Sequence, residues 1–368
     1  MERSSIRSAA SEFGVKPDMR DDGRVKSRIT VKDLARQLGM SVSTVSRAFY
    51  QDAVIAPETR AKVLEHAAEI GYRPNPLARG LITKSSRIVG VVVADITNPF
   101  YPEVLLGLTE QLQAIDFNVM LVVTNKSRDE NEAVHGLLSY HPDIVIIVAT
   151  TLSSVSSEAC RAAGLPVIFF NRQTSDPHSF AVTCDNVRGG RDAADHLIDR
   201  GHRKLAFIAG RPDASTNVDR WQGFSGRCLE RGLGLPSAAG GEAFSYEDGY
   251  AAALKLLDRH DRPEALFCAN DILAVGALDA ARRKLGIAVP EQLSVVGFDD
   301  ISMASWPSYA LTTVRQPKAL MIDRTTQLVL ALSRNEAGQP AVQRIPGELI
   351  ERNTTKTIHL RRAGGRAR

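Results

Sequence analysis

The chain has 368 residues, 43% of them apolar, and a formal net charge of only +4. This length exceeds one typical domain and predicts two or three with substantial cores, while so small a surplus excludes any argument for nucleic acid or membrane from total charge. No apolar run reaches a bilayer-spanning length, the opening MERSSIRSAASEFGVKPDMR has no apolar leader core, and Cys160, Cys184, Cys228 and Cys268 form no CxxC pair, so a cytoplasmic protein with buried thiols is expected, without disulfides, metal, cofactor or membrane contact.

Residues 1–27 are polar, mixed in charge and without a hydrophobic period, as in a disordered extension; Arg24, Lys26 and Arg28 offer at most an auxiliary DNA contact. From Thr30 the pattern turns helical. In TVKDLARQL, Val31, Leu34, Ala35 and Leu38 share a face, Thr30 and Asp33 have capping-box spacing, and Gly39 can supply the positive φ that ends the helix. A second short helix fits 42–50, with Val45, Ala48 and Phe49 inward. A third fits about 57–70, with Pro57 in its first turn, Val63, Leu64, Ala67 and Ile70 inward, Gly71 as its stop and Ala56 unable to cap through a side chain.

Three helices with a glycine turn between the first two have the layout of a helix-turn-helix unit, whose second helix enters the DNA major groove by its N-terminal end. Val42, Ser43, Ser46 and Arg47 then project outward, and Thr44 lies where a hydroxyl and free backbone N–H groups suit a phosphate. Arg47 can fork onto guanine, Val42 can touch a thymine methyl, and Ser43 can bond several bases. Residues 28–87 carry ten basic and five acidic side chains, a surplus of +5 that exceeds that of the whole chain. Periodicity alone would equally fit a solvated three-helix bundle with an incidental basic face.

RPNP at 73–76 interrupts any helix, and LARGLITKSS follows. From Arg87 the runs RIVGVVVAD, FNVMLVVT, DIVIIVAT, PVIFFN, KLAFIAG, EALFCAN and LSVVGFDD alternate with amphipathic stretches. Near-continuous apolar strands between helices predict parallel sheets covered on both faces, here two α/β lobes. Ligands of open α/β sheets sit at the carboxyl ends of strands. The candidates there are Asn98–Tyr101, Asn171, Arg172, Thr216, Arg220, Asn270, Asp271, Asp299 and Asp300. This polar set with two aromatics suits a small hydroxylated or ionised molecule held between the lobes.

TVKDLARQLGMSVSTVSRAF and ETRAKVLEHAAEIGYRPNPLARGL resemble the headpiece of the LacI/GalR repressor family, and the resemblance continues through VADITNPFY, HLIDRGHRKLAFIAG, CANDILAVGAL, VPEQLSVVGFDDI and LTTVRQP. It implies an all-α helix-turn-helix headpiece at 28–74, a hinge helix and linker at 75–86, and a two-lobed α/β, Rossmann-like, periplasmic-binding-protein-like effector domain at 87–355, with a basic tail at 356–368. The N-lobe would span about 87–186 and 317–346, the C-lobe about 187–316 and 347–355. By the same resemblance Leu81, with Ala78 beside it, is the wedge that opens the minor groove at the operator centre, at a cost of roughly a few kcal/mol per base step. Gly80 departs from the usual serine there, and Ala56 from the usual serine cap.

The resemblance also selects among the cleft candidates: Phe100 and Tyr101 as an aromatic pair at the mouth, Thr216 and Arg220 from the second lobe, Phe244 as a stacking aromatic, and Asn270 and Asp299 as polar ligands. Asn171 stands where aspartate is frequent, and Arg172 adjoins it. Ala214 stands where a purine-binding member has arginine, which turns the expectation toward a sugar or sugar acid. The implied protein is a homodimeric repressor on double-stranded, pseudo-palindromic operator DNA. A phosphoprotein or nucleobase co-effector is the alternative within the class. A solute-binding protein would lack the headpiece, and no Walker loop, G-x-S-x-G or metal-spaced His/Cys cluster supports an enzyme.

Overall fold

The computed structural model describes residues 29–50, 53–74, 85–94, 96–124, 130–148, 154–173 and 176–357. The N-terminal extension, the linker residues Ala78, Gly80 and Leu81, and most of the basic tail lie outside the described residues. The chain divides into two compact units, 1–84 and 85–368.

In the first unit α1 is Val31–Leu38, α2 is Val42–Ala48 and α3 is Pro57–Glu69. Thr30 and Asp33 close a reciprocal capping box, with Asp33 N–H donating to Thr30 Oγ1 at 3.3 Å and Thr30 N–H to Asp33 Oδ2 at 3.0 Å. Gly39, at φ +62°, ends α1. Leu34, Ala35, Val45, Ala48, Val63 and Ala67 form the core, and Phe49 meets Tyr72 edge to face at 5.6 Å. Leu64 departs from the sequence reading: it is 43% exposed. Val63, Ala67 and Ile70 already form the stripe that two short helices can cover, and Leu64 lies about 100° round the helix from Val63.

The second unit holds two six-stranded sheets. The first uses β1 Ile88–Val93, β2 Asn118–Val123, β3 Ile144–Val148, β4 Val167–Phe170, β5 Phe180–Cys184 and β11 Val342–Ile345. The second uses β6 Leu205–Ala209, β7 Ser237–Gly240, β8 Ala265–Cys268, β9 Ser294–Asp299, β10 Thr312–Arg315 and β12 Glu348–Ile350. Their orders are β11-β5-β4-β3-β1-β2 and β12-β10-β9-β8-β6-β7. Every pairing is parallel except β10 with β12.

Each of the apolar runs singled out in the sequence contains one of these strands. β5 and β10 are less obvious because their buried threonines read as polar; Thr313 Oγ1 donates to Asp271 Oδ1 at 2.6 Å and Thr312 N–H to Thr354 Oγ1 at 2.8 Å. The chain passes between the sheets after β5, after β10 and between β11 and β12. The second unit begins at Ser85, where the Asp143 carboxylate accepts from Ser85 Oγ, Ser86 N–H and Arg87 N–H at 2.6, 2.8 and 3.0 Å. No helix among the described residues is long and apolar enough to cross a membrane.

Covering helices include α4 Phe100–Ala114, α5 Glu130–Leu138, α6 Ser154–Ala162, α7 Asn186–Asp199, α8 Ser215–Glu230, α9 Tyr246–Leu257, α10 Asp271–Asp279 and α11 Lys318–Ser333. α7 and α8 touch backbone to backbone: a Cβ on Gly190 would lie 2.3 Å from Arg220 O, and one on Gly223 would lie 2.0 Å from Val187 O. This approach fixes Arg220 against the start of α7.

His196 and His202 are buried, bonded to Thr355 Oγ1 at 3.0 Å and Ser294 Oγ at 2.8 Å. Burial, helped by Arg200 and Lys356 respectively, pushes each down to about 4 from 6.5. The unfolded chain therefore binds protons between pH 6.5 and 4 that the folded chain does not. Stability should be full above pH 6.5 and fall as the pH drops toward 4, by a few kcal/mol. Urea titrations across this range should show the slope, and His196→Gln with His202→Gln should flatten it.

Candidate functional site

The outer face of α2 carries Val42, 42% exposed, with exposed Ser43 and Arg47. Ser46 is half-buried at the edge of that face rather than fully outward. Arg47 Nε makes only a long 3.4 Å bond to Ser43 O, so its guanidinium is available to a partner. Thr44 corrects the sequence reading. Ser41 is the N-cap, its Oγ accepting from Thr44 N–H at 3.0 Å and lying 2.8 Å from Thr44 Oγ1. The amide expected to be free for a phosphate is thus engaged by the cap. Ser41 has the signature of an N-cap, a serine directly before the helical run, which the sequence reading passed over.

The second constellation lies where the two sheets' carboxyl ends meet. Arg220, on α8, is 2% exposed. Its Nε donates to Asn186 Oδ1 at 2.8 Å, Nη1 to Ala269 O, and Nη2 lies 3.3 Å from Asp299 Oδ1. The guanidinium carbon stands 3.7 Å over the Phe298 ring. Asp299 ends β9 at φ +115°, Asp300 follows at φ +53°, and Gln316 Nε2 donates to Asp299 Oδ1 at 2.7 Å. Burial pushes the Asp299 carboxyl up, opposed by Arg220 and then by the Gln316 hydrogen bond.

From the other lobe come Asn171, at φ +60°, and Arg172, both buried. The Arg172 guanidinium lies 5.5 Å from the Phe244 ring centroid. Phe244 itself packs over Gly210, where an added Cβ would stand 2.2 Å from the ring. Thr216 is buried in the first turn of α8. Phe100 and Tyr101, expected at a mouth, are 1% and 6% exposed and meet edge to face at 5.3 Å, because Phe100 joins the core beneath α4.

Asn270 and Asp271 are used by the fold. Asn270 caps α10 by accepting from Leu273 N–H at 3.1 Å. Asp271 is fully buried, and its Oδ2 accepts from Ile301 N–H at 2.9 Å.

Residues not singled out in the sequence complete the cleft. Gln173 N–H donates to Ser215 Oγ at 3.1 Å and its Nε2 to Asp219 Oδ2 at 3.0 Å, tying the lobes together, while Arg344 holds its Oε1 at 2.8 Å. Lys318 pairs with Glu103 and reaches Asp300 O at 3.4 Å. Asn186, Gln173 and Gln316 are ordinary polar residues in sequence; only Gln316, beside the crossover proline, carried a positional hint.

Asn171 Oδ1, Arg172 Nε, Arg220 Nη2 and Gln316 Oε1 are buried without a hydrogen-bond partner. Two open acceptors and one open donor, beside the Arg220–Asp299 pair, match a ligand that both gives and takes hydrogen bonds. Removing Asp299 leaves Arg220 as a buried unpaired cation. Asp299→Ala should therefore cost about 3–5 kcal/mol in urea unfolding, and Ser41→Ala about 1 kcal/mol of headpiece stability. A loss under 1 kcal/mol for Asp299→Ala would show that the pair does not hold the cleft floor.

Residues 30–75 match the family described as bacterial regulatory proteins, lacI family, and residues 194–355 match a periplasmic binding protein-like domain. The regulator DegA of Bacillus subtilis (strain 168) is 32% identical over 340 residues, covering 90% of this chain and 99% of its own. Among solved structures, the Lac repressor dimer bound to operator and the anti-inducer ONPF aligns with a TM-score of 0.79 at 27% identity, over 90% of this chain and all of that one. The regulator CelR in complex with cellobiose aligns at 0.67 and 30% identity, over 89% of this chain and 100% of that one. A headpiece with an exposed reading helix, joined in one chain to a two-lobed binding domain, thus has its place: the chain belongs to the lacI family of bacterial regulatory proteins and is a DNA-binding transcriptional regulator, not an enzyme.

Proposed function

We propose that the protein is a cytoplasmic, homodimeric repressor that reads a pseudo-palindromic operator with two copies of α2 and is controlled by a sugar or sugar acid held between its lobes. The observation that carries the effector reading is the set of buried, unpartnered polar atoms on Asn171, Arg172 and Gln316. Leaving such atoms unpaired costs about 1–3 kcal/mol each. A hydroxylated ligand supplies both kinds of partner at once. The likeness to CelR in its cellobiose complex supports a sugar. Ala214, buried at the head of α8, leaves no cation there for a purine base.

Val42, Ser43 and Arg47 are the base-reading residues of this proposal, with Ser46 at the margin and Thr44 acting through its side of the cap. Ala78 and Leu81 are assigned to the hinge and wedge. Two-fold symmetry in the protein then mirrors that of the operator, and the likeness to a Lac repressor dimer bound to operator supports a dimer on DNA. Closure of the lobes moves the N-lobe, and the Asp143 anchor passes that motion to the linker through Ser85 and Ser86. Coupling of about 1–3 kcal/mol is typical of such linkage.

Arg47→Ala should weaken specific operator binding by about 1–3 kcal/mol while sparing random duplex. Fluorescence anisotropy on both DNAs checks this, and equal losses would remove Arg47 from base reading. A thermal-shift screen with sugars, sugar acids and nucleobases should find a stabilising ligand that also changes operator affinity. Stabilisation by nucleobases alone would displace the sugar reading.

A further inference from the structure

The charges of the cleft do not balance. Arg220 has Asp299. Arg172, 5% exposed, has no ion pair or hydrogen bond among the described residues, and its Nε is buried without a partner. Its nearby carboxylate, Asp213, is gripped by Arg211 through Nε at 3.0 Å and Nη2 at 2.5 Å. The Asp219 carboxylate accepts from Gln173, and its charge is opposed by Arg344 and Arg220, not by Arg172. Arg172 and Arg220 also oppose each other electrostatically.

A guanidinium cannot escape burial by losing its proton, as a lysine or histidine can. Burying one without a counter-ion is expensive. The side chain is nonetheless built into place: it projects from the end of β4 in one lobe and lies over Phe244 of the other, and Phe244 is seated on Gly210. Beside it, Asn171 Oδ1 is an unfilled acceptor.

We propose that the effector is an anion on a hydroxylated skeleton, whose carboxylate or phosphate is received by Arg172 while an adjacent hydroxyl donates to Asn171 Oδ1. This rests on the reading of the cleft as the effector site. It narrows that reading from sugars in general to the acidic ones. Arg172 then both selects charge and favours the closed state, because the ligand's anion neutralises a cation that spans the two lobes.

The test is isothermal titration of the full-length protein with matched sets: D-glucose, D-gluconate, D-glucuronate and glucose 6-phosphate, and D-galactose with D-galacturonate. Operator anisotropy is run in parallel. An acidic member should bind at least about 10- to 100-fold more tightly than its neutral partner, the scale of one charge-assisted contact. The carboxylate and phosphate arms identify which anion fits. Arg172→Gln should abolish that preference without weakening operator binding by the free protein, Arg172→Lys should recover part of it, and the free Arg172→Gln protein should melt no lower than wild type.

Equal or tighter binding of the neutral sugars would overturn the charge requirement while leaving the cleft as effector site. Undiminished binding of the acid by Arg172→Gln, or a free variant that melts several degrees lower, would overturn Arg172 as the receiving group. If no member of either set binds or alters operator affinity, the proposal and the sugar reading beneath it both fall.

Discussion

A fully buried guanidinium, that of Arg220, is the constraint on which the cleft depends. It can be accommodated only where a carboxylate, an amide oxygen, a backbone carbonyl and an aromatic face converge, and Asp299, Asn186, Ala269 and Phe298 supply them. Those partners come from β9, the start of α7 and the end of β8, so one side chain on α8 fixes the mutual placement of four elements. The close contact of Gly190 and Gly223 serves the same end, since any side chain there would push α8 and its arginine off α7.

The consecutive left-handed residues Asp299 and Asp300 extend this arrangement to the crossovers. Backbone of this kind costs of order 1–3 kcal/mol per non-glycine residue and is held only where its surroundings over-determine it. Here Asp299 turns to Arg220 and Gln316, while Asp300 accepts from Arg315 at 2.7 Å and Arg352 at 2.6 Å. Arg315 closes β10 just before one interlobe passage, and Arg352 follows β12 just after another. Lys318 joins Asp300 O to Glu103 of the opposite lobe, and Gln173 bridges the lobes from the other side. A ligand touching Asp299 therefore touches the same short segment that grips the passages between lobes.

The headpiece is built on another scale. Its core is a handful of apolar side chains, and its helices rely on local devices, the Thr30–Asp33 box, the Ser41 cap and the Gly39 turn, with His66 joining Gln37 of α1 at 2.9 Å to Glu69 at 2.8 Å. So small a unit keeps α2 in register mainly through caps and a few apolar contacts. That leaves its outer face free of internal obligations, as a surface meant for a partner requires.

Hydrophobic period, capping spacing and glycine placement are local properties, so the sequence by itself determined the three headpiece helices, the apolar strands, the two-lobed α/β class and the family. It also named most of the residues that now stand around the cleft. What it could not decide was the division of labour among them. Asn171, Arg172, Asn270 and Asp271 are alike in sequence, each polar and just beyond an apolar run. Asn270 caps its helix through a local bond to Leu273 N–H, whereas long-range packing made Asp271 a buried brace for Thr313 and Ile301 and left Arg172 without a counter-ion. Leu64 makes the same point in the headpiece, turned outward by the narrowness of its neighbours. A side chain's pattern is written along the chain, but whether its hydrogen bonds and charge are already satisfied depends on residues tens or hundreds of positions away, and that only the tertiary structure decides.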